Sequence, residues 1–423
     1  MSIEKAPHLG DYIKITIFGA GLAVLWTSLH TIVIPVRLLD IAPESLKNTY
    51  LGLLTFVGLI LAMLVQPITG AFSDRFASPF GRRIPFIFFG TLVALLILPA
   101  IGISNTFCYL FLSYCCLQLA SNIAQGPFQA LIPDMVPQKY RGTASGVKSL
   151  LEILLAVLLI RLVAYFMDAY ATQKDSLWLW VSLAIVGTIL FATMVATLFT
   201  VKERNTVTRA YMPTQAEIIA GAYKIDAKRD RNFVWFLASR LFIFMALGTL
   251  QTFALYFLKD VVRPPNPASM TADLVMTVGI LLLISVYPAG YFSDKLGRQP
   301  LIILSGITGV IGILTIYFSP TYAGVIICAA LLGISTGTFL STNWALATDL
   351  AIRGEEARYL GLTNLATAGA GALSRLTGPL IDFFNNRQAN SGYAIMLIIC
   401  IVYFIAGSTL VMLIKKTNSN ASD

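Results

Sequence analysis

Long apolar runs separated by short polar turns set the pattern of this chain from one end to the other. Twelve such runs are placed at 14–36, 50–72, 84–103, 108–132, 142–166, 177–200, 232–258, 273–293, 300–318, 321–348, 360–381 and 393–414. Each is close to the roughly 20 residues that cross the hydrocarbon core of a bilayer. In hydrocarbon every backbone N–H and C=O must be bonded within its own segment, so runs of this length are helices. The pattern predicts an all-α polytopic membrane protein with twelve transmembrane helices.

Composition points the same way. The 423 residues are 57% hydrophobic and 12% charged, whereas a soluble domain carries about 25% charged residues. The polar start at 1–13, a first run longer than a signal sequence's apolar region and no small-residue cleavage site argue against a cleaved signal peptide. The net charge of +9 reads as topology and not as nucleic-acid binding, because the basic residues are segregated. Arg75, Arg82, Arg83, Lys139, Arg141, Lys295, Arg298, Arg353 and Arg358 share one side with the basic stretch 201–231. The other side has only Arg37, Lys47, Lys174, Lys259, Arg263 and Arg387. Short loops rich in Lys and Arg stay cytoplasmic, which places both termini in the cytoplasm of a cell (plasma or inner) membrane. All five cysteines fall inside predicted spans and read as small packing residues, so no disulfide, metal or cofactor is expected.

The polar stretch 201–231 divides the chain into 1–200 and 232–423, with six spans in each. A charged turn joins the second and third spans of both parts: GAFSDRFASPFGRR at Gly70–Arg83 and GYFSDKLGRQP at Gly290–Pro300. The fourth span of each part also ends in a polar cluster, QGPFQALIPDMVPQKYRGTASG at Gln125–Gly146 and STNWALATDLAIRGEEARYLGL at Ser341–Leu362. Internal repeats of this kind build many secondary transporters, with the solute site between the repeats.

This layout resembles the major facilitator superfamily over the whole chain. The segments Val65–Ile87 and Gln125–Asp134 are similar to the sucrose:proton symporters and the wider glycoside–pentoside–hexuronide group. The resemblance implies two pseudo-symmetric six-helix bundles working by alternating access. It also implies that the charged turns act as a gating latch formed by Gly70, Asp74, Arg75, Gly81 and Arg82, and by Gly290, Asp294, Lys295, Gly297 and Arg298. Gly70 and Gly290 are expected to let a neighbouring helix approach closely, and Asp74 with Arg75 and Asp294 with Lys295 to bridge helix ends. Setting topology is the competing role for these charges. Sucrose symporters carry a carboxylate partway along helix 4 where this chain has Gln118, which cannot bind a transported proton.

Polar residues inside the spans are candidate site residues, since an intramembrane charge costs at least a few kcal/mol. Gln118, Asn122, Gln125 and Gln129 fall at i, i+4, i+7 and i+11 of helix 4, a stripe suited to a permeation wall or to interhelical bonding. Trp26 and His30 are four apart on helix 1, where His30 is either a packing residue or part of a cavity wall. Arg240 and Gln251 share a face of helix 7; Asn343 and Trp344 lie in helix 10, and Arg375 in helix 11. Glu152 is the one acidic residue deep in any span, with Lys148 four residues before it. It reads as the proton-coupling group or as half of a structural ion pair. Arg161, on the opposite face of the same helix, reads as structural or interfacial.

Amides and Trp faces suit a polyol, whose hydroxyls take the hydrogen bonds while a C–H face stacks on an aromatic ring. Three intramembrane Arg against one Glu argue against a cationic drug, and an anion gripped by Arg240 and Arg375 is the close rival. The expectation is a monomeric secondary transporter of a small polar solute, a sugar or glycoside, coupled to protons. No GxxxxGK[ST] loop marks a primary pump, and no enzymatic activity is expected. A scaffold or assembly factor of the same fold, or an exporter of organic anions or hydrophobic compounds, are the alternatives.

Overall fold

The computed structural model describes residues 8–76, 78–203, 230–351 and 356–414, which are helical apart from short turns, with no strand among them. The first helix, α1, runs Leu9–Ser28, passes through a wide turn at Leu29–Val33 and continues as Ile34–Ile41. Then come α2 (Lys47–Arg75), α3 (Ile84–Ile103), α4 (Phe107–Met135), α5 (Arg141–Gln173) and α6 (Ser176–Thr200). The later helices are α7 (Arg231–Phe257), α8 (Pro267–Leu296), α9 (Arg298–Phe318) and α10 (Tyr322–Leu350). The α11 segment is Glu356–Ser374, a tight turn at Arg375–Thr377 and a final piece Gly378–Asn385, and α12 is Ser391–Met412.

Eleven helices of the described residues are long and apolar enough to cross a bilayer, which makes this a multi-pass integral membrane protein. The run expected at 360–381 is the exception. Its helix forms, but Gly, Thr, Asn and Arg residues thin out its apolar content and the turn at Arg375 breaks it. Most of the expected 201–231 connector, residues 204–229, lies outside the described residues, as do Arg353 and the side chains of Arg75 and Arg358.

Local chemistry sets the helix ends. The side chains of Thr106, Asp175 and Thr321 accept hydrogen bonds from Tyr109 N, Leu177 N and Gly324 N, capping α4, α6 and α10. Caps of this type are each worth about 1 kcal/mol. Gly297 alone separates α8 from α9 and has φ +94°, and Gly81 has φ +101° before α3. A side chain is strained in that region of backbone space, and both charged turns use glycine there.

The chain forms two compact units. The first is Met1–Arg209 with Ala254–Met276, and the second is Ala210–Phe253 with Thr277–Asp423. In the first, α1 packs on α5 and α6, and α4 packs on α2 and α3. The Ala254–Met276 stretch is tied in by polar contacts. Asp168 of α5 accepts from Ala268 N at 2.9 Å and Ser269 N at 2.7 Å, and Tyr256 Oη donates to Pro35 O at 2.9 Å. Arg161 pairs with Asp273 at 3.0 Å, so a protein carboxylate meets its charge. In the second unit α9 packs on α10 and α12, and the last piece of α11 packs on α12.

Candidate functional site

Within the first unit, one hydrogen-bonded chain links α1, α2 and α4. Gln66 Nε2 donates to Asn122 Oδ1 at 2.6 Å, and Asn122 Nδ2 donates to Gln118 Oε1 at 3.0 Å. Gln118 Nε2 donates to Tyr114 Oη at 2.8 Å, and that hydroxyl lies 2.8 Å from His30 Nε2. Tyr114, Gln118 and Asn122 are buried, while Gln66 and His30 are half-buried. Every amide in the chain donates toward His30. A hydroxyl can both give and accept, so Tyr114 joins the amides to His30 Nε2, with the sense of that last bond set by the ring's tautomer.

The sequence explains how these groups meet. Tyr114 is four residues before Gln118, so the polar stripe of α4 extends one turn further than the amides alone indicate. Pro35 has no N–H to give and its ring crowds the preceding turn. The chain widens there, with Ile34 N donating to Leu29 O. Turns of this π type are frequent at functional sites, and His30 stands in this one. Trp26 stacks on the His30 ring at 4.9 Å. On α2 and α4, a Cβ at Gly126 would meet Gln66 O at 2.5 Å and Thr69 Oγ1 at 2.7 Å, so a bare glycine lets the two helices bring Gln66 to Asn122. The stripe does not continue as one bonded row: Gln125 is half-buried, and Gln129 is exposed.

Glu152 and Lys148 are 3.1 Å apart and equally half-buried. The Glu152 carboxylate lies against Gly19 of α1 beside Phe128 of α4, where a Cβ on Gly19 would strike Oε1.

The charged turns form matched networks whose centres differ from the expected ones. Arg83 holds the first: Nε donates to Asp134 Oδ2 at 3.0 Å, Nη1 to Gly70 O at 3.1 Å and to Ser73 Oγ, and Nη2 to Asp74 Oδ1. Arg298 holds the second through Asp349 Oδ2 at 3.1 Å, Ser293 Oγ at 2.7 Å and Asp294. Arg83 is therefore the counterpart of Arg298, and Arg82 only adds a 2.7 Å contact to Asp134. The Asp–Arg separation is nine residues in the first turn and four in the second, which hid the correspondence. Glu203, just beyond α6, accepts from the backbone N–H groups of Arg82, Arg83 and Ile84 at 2.7–3.1 Å, so a carboxylate neutralises the positive N-terminal end of α3.

Two gating expectations are corrected. A Cβ on Gly70 would meet nothing within 4 Å, so Gly70 is not a close-approach point, whereas one on Gly290 would meet Ser341 Oγ at 3.1 Å. What Gly70 contributes is its carbonyl, as an acceptor for Arg83. Lys295 does not bridge helix ends: its ammonium bonds the Tyr291 hydroxyl one turn back on its own helix, and Asp294 goes to Arg298.

In the second unit Arg240 is buried, with Nε donating to Thr367 Oγ1 at 2.8 Å and Nη1 to Asn343 Oδ1. The Phe244 ring covers it, 4.9 Å from guanidinium carbon to centroid. Gln251, expected on the same face, is exposed and shares none of these partners, and Trp344 is exposed too. Arg375 stands in the break of α11, with Nη1 on Gly371 O and 3.0 Å from Ser374 Oγ. Arg240 and Arg375 thus hold separate sets of partners.

Known proteins resemble this chain in parts and in fold. Sucrose transport protein SUC3 of Arabidopsis thaliana is 26% identical over 168 residues, 34% of this chain and 28% of that protein. The Proline/betaine transporter of Escherichia coli (strain K12) is 31% identical over 148 residues, again 34% and 28%. This chain thus spans only about a quarter of the length of the curated relatives it matches. Among solved structures, the nucleoside transporter NupG superposes with a TM-score of 0.75 at 12% identity, covering 97% of this chain and 100% of that one. A bacterial homolog of the human lysosomal transporter Spinster gives 0.71 at 15% identity, with 97% of each chain covered. At such identities the likeness is one of fold, a major facilitator fold. The family described as MFS/sugar transport protein matches residues 16–359, well over half of the chain, and this protein belongs to it.

Proposed function

We propose that this protein is a secondary transporter that carries a small polar solute, a sugar or glycoside, across the membrane by alternating access. The observation that supports this reading is the chain from Gln66 to His30. Helix association in a membrane is driven by close packing, with scattered polar contacts as a modest addition. Five polar side chains with a stacked Trp exceed such an addition, and they match a ligand with many hydroxyls and an apolar ring face.

In this reading 1–200 and 232–423 act as the two six-helix bundles, 201–231 is their cytoplasmic connector, and both termini are cytoplasmic. The Arg83 and Arg298 networks are latches that must open and re-form in each cycle. Coupling runs through Glu152, which takes the proton and releases Lys148. The carriage needs no cofactor and makes or breaks no covalent bond.

The test is uptake of a panel of labelled sugars, glycosides and organic anions into proteoliposomes, with and without an imposed pH gradient. Accumulation of one solute class above empty liposomes supports transport, and its increase with the gradient supports proton coupling. A monodisperse protein that moves no member of the panel defeats the proposal.

A further inference from the structure

The second unit buries a positive charge that no acid answers. Arg240 is 4% exposed, yet among the described residues its partners are a hydroxyl, an amide oxygen and an aromatic face. It makes no ion pair with any described carboxylate. Taking an ion out of water costs several kcal/mol, and neutral partners return only part of that. The Phe244 ring face contributes a cation–π attraction on one side.

A second observation falls beside it. Asn343 turns its oxygen to Arg240, which directs its NH₂ group away from that bond, and Asn343 Nδ2 is buried with no acceptor. Turning the amide over would point Nδ2 at the guanidinium, donor against donor. Arg240 Nη2 makes no hydrogen bond to the described residues. Two neighbouring residues therefore have N–H groups to give, one of them on a full positive charge, and share no acceptor. What the cluster lacks is an oxygen acceptor carrying negative charge.

From this we infer that the solute bears a carboxylate and that Arg240, with Asn343, binds it. One guanidinium supplies one charge, and its planar fork matches the two oxygens of a carboxylate. A single guanidinium balances a monoanion, which favours a carboxylate over a phosphate dianion. The inference rests on the transport reading of a small polar solute and gives that solute a carboxylate: a sugar acid keeps the sugar reading, whereas a small zwitterion would replace the sugar and leave the carriage intact.

The test uses purified full-length protein and matched probes: D-glucuronate against D-glucose, with glycine betaine as a carboxylate without hydroxyls. Thermal stabilisation and equilibrium binding are read for the parent, Arg240→Gln and Asn343→Asp. D-Glucuronate, glycine betaine or both should bind the parent, and which of them does separates a sugar acid from a zwitterion. D-Glucose should bind at least tenfold more weakly than the carboxylate that binds.

Arg240→Gln should weaken carboxylate binding by about thirtyfold or more, the usual effect of deleting one partner of a buried charge pair. It should leave the ligand-free melting temperature unchanged or higher, because it removes an uncompensated charge. A merely structural Arg240 would lower it. Asn343→Asp gives Arg240 an internal carboxylate, so it should raise the melting temperature and block the probes. That variant keeps the test decisive even where Arg240→Gln misfolds. Equal binding of D-glucose and D-glucuronate, no binding of either carboxylate, or undiminished carboxylate binding by Asn343→Asp overturns the inference. Uptake of D-glucose without carboxylate binding would overturn it while leaving the transport reading intact.

Discussion

Arg83→Ala and Arg298→Ala remove the centres of two networks with the same geometry but different burial. The Arg83 side chain is 4% exposed, and its partners Asp74 and Asp134 are 29% and 23% exposed. Breaking a buried pair costs about 3–5 kcal/mol because the surviving charge is left uncompensated. An exposed pair is worth about 0–1 kcal/mol. Partners a quarter open to solvent fall between these limits, and Arg82 still answers Asp134 at 2.7 Å. The estimate for Arg83→Ala is therefore about 2–3 kcal/mol, most of it from Asp74 and from Ser73 and Gly70, which lose their donor. The Arg298 side chain is 25% exposed, with partners at 68% and 53%, and its removal should cost about 0–1 kcal/mol. Thermal melting of the detergent-purified variants, followed by tryptophan fluorescence, measures the difference. Arg83→Ala should melt well below the parent and Arg298→Ala close to it, with Arg83→Lys between because a point charge replaces the fork. An Arg298→Ala protein that loses as much as Arg83→Ala would refute the burial reasoning.

Three further outcomes are expected. Gly126→Ala places a methyl 2.5 Å from Gln66 O, a backbone atom that cannot swing aside, and should cost about 1–3 kcal/mol in a melting assay; an unchanged melt would show that α2 and α4 yield easily. Gln118→Ala leaves Tyr114 and Asn122 short of partners, and should lower stability by about 1–3 kcal/mol and weaken solute binding; full-strength binding would remove the polar chain from the site. Glu152→Gln should keep downhill exchange and lose the response to a pH gradient, and an undiminished response would place coupling elsewhere.

Much of the architecture was legible because a bilayer leaves a spanning segment few options. Apolar runs near 20 residues gave every long helix of the described residues, though the helices outrun the runs, with α5 reaching Gln173 past a run ending at 166. The polar site was only half legible. Gln118 and Asn122 announce themselves on an apolar helix, but Tyr114 passes as an apolar aromatic until its hydroxyl is seen on Gln118. Gln66 shows no periodicity on α2 and reaches Asn122 only because Gly126 lets the helices close. Choosing between Arg82 and Arg83 was beyond a one-dimensional reading, since the longer first turn shifts the position that faces Asp74. Glu203 reads as a loop charge, and its role comes from three backbone N–H groups brought to it by the fold.

The claim that a solute is carried is tested most directly by counterflow, which needs no gradient and no assumption about coupling. Proteoliposomes loaded with unlabelled solute are diluted into a trace of the same solute in labelled form, for each member of a panel of sugars, glycosides, organic anions and glycine betaine. Alternating access predicts a transient accumulation of label above equilibrium for one solute class, absent from empty liposomes. No transient for any member, with monodisperse and correctly reconstituted protein, would contradict the account.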